Sequence, residues 1–150
     1  MAWRGDPTPP EPKLPSLPWR ATFTPEDANL NAARAGLTHA LNDVGVSGPA
    51  IDDALLVLNE MTSNAIRHAR TEYTITATLT AGTLRLEVFD RDTRPPSLLG
   101  LDDQSTSGRG LHLIAALASD WGWRTATSQD GVSGKLVWAE MHVGQPKTDA

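Results

Sequence analysis

The chain has no cysteine among its 150 residues. That absence removes disulfide-stapled scaffolds, thiolate zinc sites and cysteine nucleophiles together. It also lacks any apolar run approaching the ~20 residues needed to cross a bilayer. Its N-terminal stretch, MAWRGDPTPPEPKLPSLPW, contains no apolar signal-peptide core. Neither export nor membrane anchoring is expected, which makes the cytoplasm the expected compartment. Positive charge is scarce as well: 13 Lys and Arg stand against 18 Asp and Glu, for a formal net charge of -5 and a pI near 5.2. A general nucleic-acid binder needs a basic surface to displace counterions from phosphates, so no direct nucleic-acid partner is expected.

A chain of this length fits one domain that folds without staples. Prolines at positions 7, 9, 10, 12, 15 and 18 deny residues 1–18 regular hydrogen bonding, and an extended, poorly ordered tail is expected there. The domain is expected over residues 19–143, with residues 144–150 as a frayed end. Trp19 to Phe23 reads as a short strand. Thr24-Pro25-Glu26-Asp27 reads as a helix start, with Thr24 as cap, and the helix should run to about Asp43. After the interruption at Gly45, Gly48 and Pro49, Ile51 to Ala69 forms a second helical window.

Tyr73 to Thr80 then alternates strictly, Tyr73, Ile75, Ala77 and Leu79 against four threonines, as a half-buried strand must. Ala81-Gly82 supplies a turn into a second alternating run that ends at Phe89-Asp90, so the two should pair as an antiparallel hairpin. Residues 91–107 are polar and proline-punctuated, longer than most connectors and a candidate lid. A third helix is expected from about Arg109 to Ser119, followed by strands over Trp121 to Ser128 and Lys135 to Val143. The fold class implied is α+β: a two-layer sandwich in which a mixed, mainly antiparallel sheet is covered on one face by three helices.

Four polar residues of the second helix, Glu60, Asn64, Arg67 and His68, are spaced to share one face. Leu55, Leu58, Ala65 and Ala69 make the opposite stripe. A solvated face is the ordinary reading of such a pattern. The chemical reading is that an Asn oxygen ligates Mg²⁺ while a Glu orients or deprotonates a hydroxyl. Asp90, at a strand end, suits either turn initiation or acceptance of a hydrogen bond from an exocyclic amine. Ser107-Gly108-Arg109-Gly110 is either a flexible helix entrance or a close-approach loop that turns backbone N–H groups toward phosphate. The four histidines, with no cysteine present, form no metal cluster in sequence and read as surface or satisfied core residues. Asp90 and Asp92 read as simply hydrated carboxylates, and Trp121 and Trp123 as packing residues.

Taken in order, LNEMTSNAIRHA (58–69), VFD (88–90), SGRGLHLIAALASDWGW (107–123) and GKLVWAEM (134–141) resemble the successive boxes of the histidine-kinase-like ATPase superfamily, the Bergerat fold. The match is nearer to its short, stand-alone branch of bacterial anti-sigma-factor serine kinases and their actinobacterial relatives. The resemblance implies ATP and Mg as cofactors. It makes Glu60 the catalytic or water-positioning base, Asn64 the metal ligand and Asp90 the adenine-reading carboxylate. Ser107, Gly108 and Gly110 shape the phosphate loop, with Arg67 and Arg109 near phosphate charge. A sigma factor and its antagonist protein are the implied partners, and homodimers are common in the resembling family.

Two departures from the family pattern stand out. Asp90-Arg91-Asp92-Thr93-Arg94 replaces D-x-G-x-G, which places side chains where relatives carry glycine. Leu136-Val137-Trp138 occupies the strand where relatives often place a base-holding threonine. Two functions are therefore expected to compete: a serine kinase acting on an antagonist, and a regulatory binding module without phosphoryl transfer. A histidine-kinase fragment is the weaker expectation, since residues 1–18 supply no phosphoacceptor helix hairpin.

Overall fold

The structure, a computed structural model, describes residues 17–96 and 114–144. Strand β1 (Trp19–Phe23) is followed by helices α1 (Asp27–Asp43) and α2 (Gly48–Ser63). Strands β2 (Tyr73–Thr80), β3 (Thr83–Asp90), β4 (Asp120–Thr127) and β5 (Ser133–His142) complete the described elements. They build a 5-stranded sheet in the order β1-β2-β3-β5-β4. Every pairing is antiparallel, so the sheet has no parallel component among the described residues. Short turns make the β2–β3 and β4–β5 pairs hairpins, whereas β1 reaches β2 through both helices and β3 meets β5 across a longer connection.

Alternation along the strands divides the sheet into two faces. On one, Tyr73, Ile75, Ala77, Leu84, Leu86, Val88, Val137 and Ala139 are buried. They pack with Leu37, Leu41, Leu58 and Met61 from the two helices in one apolar cluster. Ile114, in the short helical stretch 114–117, joins the same cluster. Of the expected third helix residues 114–119 lie within the described residues, and the helix ends at residue 117, short of the expected Ser119. Trp121 and Trp123 pack against the cluster from β4. The other face carries threonines together with Arg85, Glu87 and Trp138. Arg85 bonds Glu87 at 2.8 Å and Glu140 at 2.9 Å, with its guanidinium 4.5 Å from the centre of the Trp138 ring.

Both helix starts differ from the expected ones, for local reasons. Thr24 does not cap α1; its hydroxyl accepts instead from the Asn29 side chain at 2.7 Å, and the helix begins two residues later at Asp27 behind Glu26. Helix α2 begins earlier than Ile51, because Ser47 caps it through the Ala50 N–H and Gly48-Pro49 form its first turn, where a missing proline N–H costs nothing. Close approach of α1 to β1 depends on Gly36. A Cβ there would stand 2.5 Å from the buried indole of Trp19.

Candidate functional site: the end of the second helix against strands β3 and β5

Helix α2 does not end as an α-helix. Asn64–Ala69 is a π-helical turn closed by the Arg70 N–H, which donates to the Ala65 carbonyl at 2.7 Å. Arg70 itself caps the turn in the left-handed region, at φ 56 and ψ 36. Such turns widen the helix by one residue and recur at functional sites. The widening also alters the expected polar face, which assumed α-helical spacing throughout. Asn64 is buried at 1% exposure and His68 lies one turn on; both wall a cavity of about 190 Å³. Arg67 is exposed and is not part of that wall. Glu60 is half-buried on α2, one turn before Asn64, and also stands outside the wall.

The opposite side of the cavity comes from the sheet. In the β3–β5 register Asp90 lies across from Lys135. Lys135 Nζ donates to Asp90 Oδ1 at 3.0 Å and to the Asp92 carbonyl at 3.3 Å. The Asp92 N–H donates to the same Asp90 Oδ1 at 2.9 Å, the bond of a turn-initiating aspartate. Asp90 thus performs the ordinary role expected of it with one oxygen. Its other oxygen, Oδ2, is buried with no hydrogen-bond partner among the described residues. Burial is the leading influence on this carboxyl and pushes its pKa up, against the Asp92 N–H and Lys135, which favour the charged form.

Neither Asp90, which is buried and ion-paired, nor Asp92 is simply hydrated, contrary to the sequence-based expectation. Arg94 clasps it through Nε, at 3.0 and 2.9 Å to its two oxygens, and through Nη2 at 2.5 Å. Those bonds hold the Asp92 pKa down to about 2. Asp92, Arg94 and Lys135 all belong to the cavity wall, so the cavity gathers groups from α2's end, the post-β3 turn and β5.

Of the sequence-predicted residues, the structure therefore brings Asn64 to the cavity and places Asp90 directly behind it. Ser107, Gly108, Arg109 and Gly110 lie outside the described residues, as does the greater part of the candidate lid. Among the described residues no group of three or more His, Asp or Glu is placed to hold a metal ion. Lys135 was missed, and His68, placed on the polar face by its spacing, was read only as a surface or satisfied core residue. For Lys135 a signal exists: it occupies the strand slot that continues through Val137, Ala139 and Met141, all facing the core. A lysine in an apolar slot needs a partner. The residues in question for base contact, Leu136 to Trp138, do not reach the cavity wall. A larger cavity of about 280 Å³ opens on the sheet's other face between Arg20, Thr74, Phe89 and Gln129, and none of the predicted site residues lines it.

The residues present fit a purine nucleotide in two respects. An amide of the type that ligates hard cations walls the cavity, and behind Lys135 of the same wall Asp90 keeps a buried carboxylate oxygen of the kind that accepts from an exocyclic amine.

Sequence and structure comparisons agree with this architecture. No curated protein matches the chain in sequence. Among solved structures, the RsbU and RsbW domains of Rv1364c from Mycobacterium tuberculosis superpose with a TM-score of 0.58 at 20% identity over 87% of this chain. The chain spans 35% of that structure's length, so the likeness is one of fold. The histidine kinase domain of the blue-light activated kinase from Erythrobacter litoralis EL346 aligns over 77% of this chain and 60% of its own, at 16% identity and a TM-score of 0.43. The family model for the histidine kinase-like ATPase domain matches residues 23–139. With that match over most of its length, the chain belongs to the histidine kinase-like ATPase domain family.

Proposed function

We propose that the protein is an Mg-ATP-binding cytoplasmic regulator of the anti-sigma-factor type, a serine kinase that binds a sigma factor and phosphorylates an antagonist protein. The observation that carries this reading is the meeting of Asn64 with Lys135, the ion-pair partner of Asp90, at one cavity. Family membership and the fold-level likeness to an RsbW-containing structure support it. Asn64 would hold Mg²⁺, which usually takes one or two protein ligands and completes its shell with phosphate oxygens and water. When bound, that ion neutralises charge on the transferring phosphoryl group. Glu60 would take the proton of the antagonist's serine as that oxygen bonds phosphorus and ADP departs. Asp90 would accept from the adenine amine. Ser107, Gly108, Arg109 and Gly110 would cradle phosphates, with Arg67 near their charge. No helix among the described residues is long and apolar enough to cross a membrane.

A second reading, a nucleotide- or partner-binding module without phosphoryl transfer, is favoured by one observation. The Asp92–Arg94 pair takes up the cavity rim where relatives carry glycine.

Calorimetry with Mg-ATP on the wild type and Asn64→Ala tests the first step, and binding is expected to weaken about tenfold or more in the variant. Incubation with labelled ATP and a candidate antagonist, with Glu60→Gln as control, tests transfer. Binding without transfer selects the module; no binding by the wild type sinks both.

A further inference from the structure

The Asp90–Lys135 pair leaves one acceptor and one donor unused. Asp90 Oδ1 is occupied by Lys135 and by the Asp92 N–H, whereas Oδ2 has no partner among the described residues. Lys135 carries three N–H donors and has two acceptors, Asp90 Oδ1 and the Asp92 carbonyl. Both side chains are deeply buried, at 2% and 1% exposure, and no group among the described residues supplies the remaining partners. Unspent polar capacity at that depth is unfavourable until something supplies the missing partners. Lys135 also lines the cavity that Asn64 lines. A molecule entering the cavity therefore meets an ammonium donor backed by a carboxylate acceptor.

The ligand edge that satisfies both at once carries a hydrogen donor beside an acceptor. We propose that Lys135 is a base-reading residue: its ammonium donates directly to ring nitrogen N1 of adenine while Asp90 Oδ2 accepts from the neighbouring 6-amino group. This rests on the Mg-ATP reading above and adds to it a direct protein contact that discriminates among purines. Guanine presents the reverse order, a carbonyl oxygen at position 6 and an N–H at position 1. In this pose it would set carbonyl against carboxylate and N–H against ammonium. A buried hydrogen-bonding site rejects such a mismatch because both protein groups stay unpaired.

The ion pair also has a purely structural use, and the experiment separates the two. Calorimetry on the full chain compares Mg-ATP with the Mg complex of 1-deaza-ATP, in which a C–H replaces N1 and nothing else changes. The wild type is expected to bind the analogue at least about tenfold more weakly, as befits the loss of a charge-assisted bond. Lys135→Met is expected to lose that preference and bind both nucleotides alike. If the variant does not fold, the wild-type comparison stands alone. Equal binding of the two nucleotides by the wild type overturns the proposal and leaves Lys135 structural. GTP bound as tightly as ATP overturns the order of contacts. Failure of the wild type to bind ATP at all is a different result, and it removes the nucleotide reading together with this one.

Discussion

A side chain on Gly134 would run into the carbonyl of Asp90. A Cβ built there overlaps that oxygen and stands 2.8 Å from the Phe89 ring. Strands β3 and β5 approach this closely where Asp90 and Lys135 must face each other, and the obstructing atoms are backbone, which cannot swing aside. Gly134→Ala is accordingly expected to destabilise the domain by about 1–3 kcal/mol, the usual cost of overpacking. Urea unfolding with an unchanged m-value would show it. A wild-type midpoint in the variant would mean that the strands separate freely here.

The β2–β3 turn offers the opposite case. Ala81 and Gly82 both have positive φ, 49 and 81, and Thr80 pairs with Thr83, which makes a two-residue type I′ hairpin. Alanine is strained in that region, whereas asparagine tolerates it. Ala81→Asn should stabilise by about 1 kcal/mol, read as a higher unfolding midpoint. A lower midpoint would contradict the assigned turn.

Much of the fold was legible in residue patterns, and the exceptions have physical causes. Strict alternation over residues 73–80 announces a strand buried on one side, and the structure buries Tyr73, Ile75 and Ala77 as that pattern requires. Asn64, four residues after Glu60, was legible as a candidate because helical spacing is local. The π turn was not, since it arises from how the helix end closes on Arg70 and not from propensity. Arg67 was consequently expected beside Asn64 and is found in solvent. Lys135 was hidden for another reason: its partner lies 45 residues earlier, and only the β3–β5 register brings them together.

The Asp92–Arg94 clasp makes a prediction about acid. Hydrogen bonds from Arg94 hold the Asp92 pKa at about 2, below its ordinary 3.8. A carboxyl depressed on folding stabilises the native state above its ordinary pKa, and that contribution disappears as pH falls through the native value. The relevant window is therefore the one between 3.8 and about 2. Since the Arg94 side chain is 74% exposed, salt should weaken the effect. In Arg94→Ala, a carboxyl-carbon NMR titration is expected to move Asp92 up toward its ordinary value. An unmoved titration would assign the depression to some other group.

Removing Lys135 should produce the reverse dependence on pH. Asp90 is buried at 1% exposure, burial already raises its pKa, and Lys135 is the charged group bonded to it. Without that ammonium the ionised carboxylate would be left uncompensated in the core, at a cost of about 3–5 kcal/mol. The carboxyl would escape by protonating, which raises its native pKa further above the unfolded value of ~3.9. When the native pKa is the higher one, the folded state binds the proton first. Stability then rises as pH falls through the native pKa and levels off below the unfolded one. Lys135→Met should therefore be weakest near neutrality and recover on mild acidification. Adding Asp90→Asn should restore neutral-pH stability and flatten the curve. Chemical denaturation across pH on the three proteins measures this. A single variant with no pH dependence, or a double variant weaker than the single, would show that Asp90 is not the group Lys135 neutralises.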